Sequence, residues 1–122
     1  MEKKYSISFN EKLKMISTIS DYENIFDLEF VIEHIFITDI PHILKGIKTQ
    51  ENFSYKNSVC SLYIENNLIN CSVLFDEDMF NFKFEKDLFL MFGEDYYKIC
   101  MQHKEILFPF VYMDIVDESK TL

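Results

Sequence analysis

Arginine, alanine and tryptophan do not occur in this chain of 122 residues, and glycine and proline appear twice each. The missing arginine matters most. All 12 basic side chains are lysines, set against 21 carboxylates, for a net charge of −9. A nucleic-acid surface needs clustered cations to replace the counterions of phosphate, so nucleic acid is not expected as a direct partner. An anionic membrane surface is disfavoured on the same ground. No glycine loop, catalytic or nucleotide motif is legible. The only breakers are Pro41, Gly46, Gly93 and Pro109. The chain therefore reads as long elements joined by Asn, Asp and Ser turns, without linker, repeat or low-complexity segment. The apolar runs at 88–92 and 106–113 fall far short of the roughly 20 residues of a spanning helix. No run of signal-peptide length follows Met1, so a soluble, cytoplasmic protein is expected. Three cysteines in that setting suggest free thiols and not a disulfide framework.

What is present is a core. The composition is 48% hydrophobic, with 13 phenylalanines, so the acidity belongs to a folded chain and not to a disordered tail. The length suits one domain, 1–122. The pattern predicts an α+β fold: a helical N-terminal half packed on an antiparallel β-meander, about 58–65, 68–75 and 80–85. Tyr5, Ile7 and Phe9 alternate with serines as a short strand. Asn10 is placed to cap a helix carrying Leu13, Ile16 and Ile19. Ser20-Asp21-Tyr22-Glu23 reads as a capping box opening a helix over 21–37, with Ile25, Leu28, Ile32, Ile35 and Phe36 in one stripe. A further helix starts at Asp39-Ile40-Pro41 and is expected to end near Gly46.

The meander is read from turn and pattern together. Asn66-Asn67 suits a two-residue hairpin turn, which pairs Glu65 with Leu68, Leu62 with Cys71 and Cys60 with Val73. One face then carries Cys60, Leu62, Ile64, Ile69, Cys71, Val73 and Phe75. For Phe80, Phe82 and Phe84 to join that core, Phe75 is set opposite Phe80 across a loop of Asp76-Glu77-Asp78-Met79, and all ten are expected to be buried. Residues 88–92 fit strand or helix, 94–104 read as a helix, and Phe110 to Val116 as a last strand.

No metal or cofactor is expected, because His34, His42 and His103 share no ligand spacing with one another or with cysteine. No enzyme is expected either, because no nucleophile or oxyanion-type turn accompanies the carboxylates. The charge is uneven: residues 1–61 hold 9 acidic against 7 basic side chains, net −2, and residues 62–122 hold 12 against 5, net −7. The candidate partner-binding residues are Asp76, Glu77 and Asp78 in one loop, Glu94, Asp95, Tyr96 and Tyr97 in the last helix, and Glu29 with Glu33 one helical turn apart. Exposed tyrosine beside carboxylates is an interface composition. For each acidic group the competing reading is a solvated polar face.

In length, acidity, heavy use of Lys, Ile, Asn and Phe, and the acidic helix Asp21-Tyr22-Glu23-Asn24-Ile25-Phe26-Asp27-Leu28-Glu29-Phe30-Val31-Ile32-Glu33, the chain resembles bacterial immunity proteins. These are the partners of contact-dependent growth inhibition and related polymorphic nuclease toxins. The resemblance is one of whole-chain character and carries over no individual functional residue. It implies a cytoplasmic protein that binds and neutralises a cognate basic toxin domain, of the nuclease kind, through an acidic surface. The alternative is another acidic interaction module: a nucleic-acid mimic, an effector chaperone or an accessory subunit.

Overall fold

Strand hairpins and helices alternate along residues 4–104, the part of the chain described by the computed structural model. The order is β1 (Ser6–Asn10), β2 (Met15–Ile19), α1 (Glu23–Glu33), a 3₁₀ turn (Ile37–Asp39), α2 (Ile40–Thr49), β3 (Ser54–Lys56), β4 (Cys60–Glu65), β5 (Leu68–Phe75), β6 (Asp78–Glu85) and α3 (Lys86–Gln102). The result is mixed α+β, with a two-stranded sheet β1-β2 and a four-stranded antiparallel sheet β3-β4-β5-β6. The expected strand between Phe110 and Val116 lies outside the described residues.

The first turn of the meander is the expected one. Asn66 and Asn67 both have left-handed backbone angles, φ 55° and 62°, and Glu65 faces Leu68, Leu62 faces Cys71 and Cys60 faces Val73. The second turn is tighter than expected. Phe75 pairs with Asp78 and Val73 with Phe80, so Asp76 and Glu77 alone make the turn, again both left-handed, φ 51° and 70°. A two-residue turn with both angles positive matches the twist of the flanking strands better than a longer loop. The slip of two residues keeps every side chain on its predicted face but pushes the outer ones past the helices. Cys60, Leu62, Ile69, Cys71, Val73 and Phe84 are buried as expected, and Ile64 and Phe82 are partly buried. Phe75 and Phe80 are not: they are 50% and 40% exposed.

The N-terminal region departs further. The segment with Leu13, Ile16 and Ile19 is not a helix. Ser6 to Asn10 and Met15 to Ile19 form a hairpin, Ser8 opposite Ser17. Asn10 still accepts from the Leu13 amide, at 2.9 Å, but it closes a turn and starts no helix, and Lys14 completes the turn at φ 56°. Met15-Ile16-Ser17-Thr18-Ile19 is rich in β-branched residues, whose stiff side chains suit a strand. The capping box does not form either. The Ser20 hydroxyl accepts from the Tyr22 amide at 3.1 Å and donates to the Lys4 carbonyl at 2.7 Å, and the helix is shorter than 21–37. Gly46 does not end α2, which runs on to Thr49. Its role is close approach: a Cβ there would stand 2.1 Å from Cε1 of Phe53.

α1 and α3 lie against β5 and β6, α2 lies against α3, and β1 touches α3. Ile25, Leu28, Val31, Ile32, Phe89 and Phe92 fill the space between helices and sheet, each at most 1% exposed. The opposite face of the sheet is polar at its centre, with Ser72 donating to Asn81 at 2.7 Å. None of the described helices is long and apolar enough to cross a membrane.

Candidate functional site

The three groups of expected partner-binding residues meet different fates. In α3, the carboxylates are used internally. The Tyr5 hydroxyl donates to Oδ2 of Asp95 at 2.6 Å, joining the residue before β1 to the last described helix. Lys48 of α2 forms an ion pair with Glu94. Tyr96 is stacked on Phe92, with ring centroids 6.2 Å apart, and burial raises its hydroxyl pKa. Tyr97 packs against the core. Neither tyrosine is the exposed anchor that its position beside two carboxylates suggests.

On α1, Glu29 accepts a hydrogen bond from the Thr18 hydroxyl of β2. Glu33 is exposed. Its carboxyl pKa is raised, first by partial desolvation against the protein and then by Glu29 one turn earlier, the mutual repulsion of like charges at i,i+4. α1 and α3 are in contact, and Glu33 and Glu29 add slightly to the raised pKa of Tyr96, which is set first by its burial.

The third group stands apart. Asp76, Glu77 and Asp78 are all exposed, and no hydrogen bond or ion pair engages their side chains among the described residues. They cap a hairpin end that is apolar on both faces. Leu74 and Met79, paired across the strands, are 42% and 57% exposed on the outer face, and Phe75 and Phe80 are exposed on the helix side. Phe30 of α1 underlies these two rings edge-to-face, with centroids 5.6 Å from Phe75 and 5.9 Å from Phe80, both at 79°. It meets Phe82 in the same way at 6.0 Å. His34, one turn on, is T-shaped on Phe75 at 5.7 Å, and its Nδ1 bonds the Phe30 carbonyl at 2.7 Å. The rings are thus fixed from beneath and open above. One helical turn before Phe30, Phe26 is also 45% exposed.

Sequence reasoning singled out the three carboxylates here but assigned Phe75 and Phe80 to the core and passed over Leu74 and Met79. The available signal was the run Leu74-Phe75-Asp76-Glu77-Asp78-Met79-Phe80 itself. If Asp76 and Glu77 alone turn the chain, the apolar pairs on either side must stand at the hairpin's end.

Elsewhere, burial raises the thiol pKa of Cys60 to about 11 and of Cys100 to about 12, and raises that of Cys71 further. All three are free and buried, which keeps them as inert thiols and not nucleophiles. Among the described residues, no group of three or more His, Cys, Asp or Glu side chains is placed to hold a metal ion. A cleft of about 210 Å³ beside the start of α1 is lined by Lys4, Tyr22, Lys83, Glu85 and Leu88, with Lys4 Nζ 4.9 Å from the centre of the Tyr22 ring. No family model, curated protein or solved structure matches this chain.

Proposed function

We propose that this is a cytoplasmic immunity protein that binds and neutralises a cognate basic toxin domain of the nuclease kind. The observation that carries the reading is the end of the β5–β6 hairpin. Three carboxylates with no cation beside them among the described residues crown an exposed apolar surface, where a solvated polar face would carry polar side chains alone. An interface needs both parts: desolvated aromatic anchors for affinity and a charged rim for steering. A nuclease cleft presents lysines and arginines to phosphate, and carboxylates that enter it imitate the substrate's charge. The net charge of −9 adds a long-range attraction that raises the association rate at low salt.

The test is genetic and biochemical. A basic nuclease domain, taken first from any gene adjacent to this one, is co-expressed with the full chain. Restored growth and a stoichiometric complex, with an association rate that falls as salt rises, are expected. Continued toxicity with no complex at low salt would refute the proposal.

A further inference from the structure

We propose that the exposed end of the β5–β6 hairpin is an arginine-docking surface, in which the rings of Phe75 and Phe80 take a guanidinium plane and Asp76, Glu77 and Asp78 supply the countercharge. That the arginine belongs to a toxin rests on the reading above; the chemistry of the surface does not.

Phe75 and Phe80 face the same side of the sheet, with Val73 beside Phe80 and Asp78 beside Phe75 in the ladder. One side of each ring is met by the edge-to-face contact with Phe30. The exposed remainder offers π-surface already held in place, so little ordering entropy is lost when a ligand binds. A guanidinium stacks on such a ring more readily than an ammonium, being planar and weakly hydrated. No lysine of this chain supplies that cation among the described residues: Lys83, the nearest on β6, faces the other way, opposite Asn70.

The carboxylates decide between possible occupants. An apolar partner laid over Phe75 and Phe80 would strip water from neighbouring charges without replacing it, which is costly. A second copy of this chain would bring the same three carboxylates against their own kind, and like charges across an interface oppose association. A basic segment alone satisfies rings and carboxylates together. Arginine answers best, because its fork can bond a carboxylate while its plane lies on a ring.

The experiment uses the full chain with ¹³C-labelled phenylalanine and two probes: an acetylated, amidated Gly-Arg-Arg-Gly peptide and the same peptide with citrulline in place of arginine. The arginine peptide should shift the Phe75 and Phe80 ring resonances saturably, and the citrulline peptide should not. The double variant Phe75→Leu/Phe80→Leu, followed by backbone amides of residues 74–80, should bind about two- to fivefold more weakly. Asp76→Asn/Glu77→Gln/Asp78→Asn should lose the salt dependence. Equal shifts with both peptides, or arginine-induced shifts confined to α3, would overturn the proposal. So would ring shifts that follow protein concentration, which would make the occupant a second copy, or contacts in the free protein from residues 105–122, which would make it the chain's own end. Arginine binding without any complex with the basic domain would keep the surface and reject the toxin reading. A complex indifferent to Phe75→Leu/Phe80→Leu would keep that reading and reject the surface.

Discussion

Replacing Glu77 by glycine should make the protein more stable while removing one of the three exposed carboxylates at the β5–β6 turn. Glu77 has φ 70°, where a residue with a Cβ is disfavoured by about 1–2 kcal/mol. Glycine adopts this angle freely but gives up about 0.4–1 kcal/mol through the greater freedom of the unfolded chain. The balance favours Glu77→Gly by roughly 0.5–1 kcal/mol. With an unfolding entropy of roughly 2.1 cal/mol/K per residue over 122 residues, the Tm should rise by about 2–4 °C. Crowding of Glu77 with Asp76 and Asp78 is a second source of instability, and Glu77→Ala isolates it, because alanine loses the charge but keeps the left-handed cost. Asn67→Gly, at φ 62°, is the companion: asparagine tolerates this region better, so the gain should be smaller. Differential scanning calorimetry of the four proteins at one pH ranks them. If Glu77→Ala stabilises as much as Glu77→Gly, repulsion and not backbone strain is being relieved. If Glu77→Gly lowers the Tm, the strain argument fails outright.

The remaining predictions concern the core and its titrating groups. Phe92→Ala should cost about 3–5 kcal/mol in urea unfolding, since Phe92 is fully buried, whereas Phe80→Ala at a 40% exposed site should cost on the order of 1 kcal/mol; equal losses would place Phe80 back in the core. Gly46→Ala should destabilise by about 1–3 kcal/mol, because the Phe53 ring must move, and Gly93→Ala by less, because its new Cβ would meet only the flexible end of Leu44 at 2.9 Å. In an Ellman assay at pH 8 the cysteines should react slowly when folded and quickly in denaturant; one fast thiol in the native protein would contradict the raised pKa values of Cys60 and Cys100, about 11 and 12. Glu33→Gln should raise stability at pH 7. The folded protein raises the Glu33 pKa, so its carboxyl contributes stability only while protonated, and this is lost as pH rises through that value. The advantage of the variant should shrink as pH falls through the raised Glu33 value and be gone below about 4, where the carboxyl is protonated folded or unfolded, and an advantage that persists at pH 3 would assign the effect to something other than charge.

The parts of the fold legible in the sequence are those where two local signals agree. At Asn66-Asn67 the turn residues and the alternation of Cys60, Leu62 and Ile64 point to one register, and that register forms. At Asp76-Glu77 they disagree: aspartate tolerates the left-handed region but glutamate is no customary second residue of such a pair, so the sequence favours a longer loop that would put Phe75 and Phe80 inside. β1 is legible from its alternation, but β2 is not, because Leu13, Ile16 and Ile19 also satisfy helical spacing and five residues are too few to separate the two periods. β3 was missed for its brevity: three residues with one half-buried side chain, Tyr55, held by a hydrogen bond from its hydroxyl to Asp39 at 2.7 Å. For the site, charge was visible and its availability was not. Nothing near Asp95 or Glu29 in sequence reveals that Tyr5 and Thr18, 90 and 11 residues away, bond to them.

The four-stranded sheet joins only strands that follow one another along the chain, and two of its three connections are two-residue turns. Each ladder can therefore close by zipping outward from its own turn, with little loop entropy lost. Folds dominated by such short-range pairing have low contact order and fold fast. Neither β5 nor β6 waits on a distant segment of the described chain to find its register. The hairpin end from Leu74 to Phe80 thus needs only local pairing for its register, and only its underlay, Phe30, comes from a separate part of the chain.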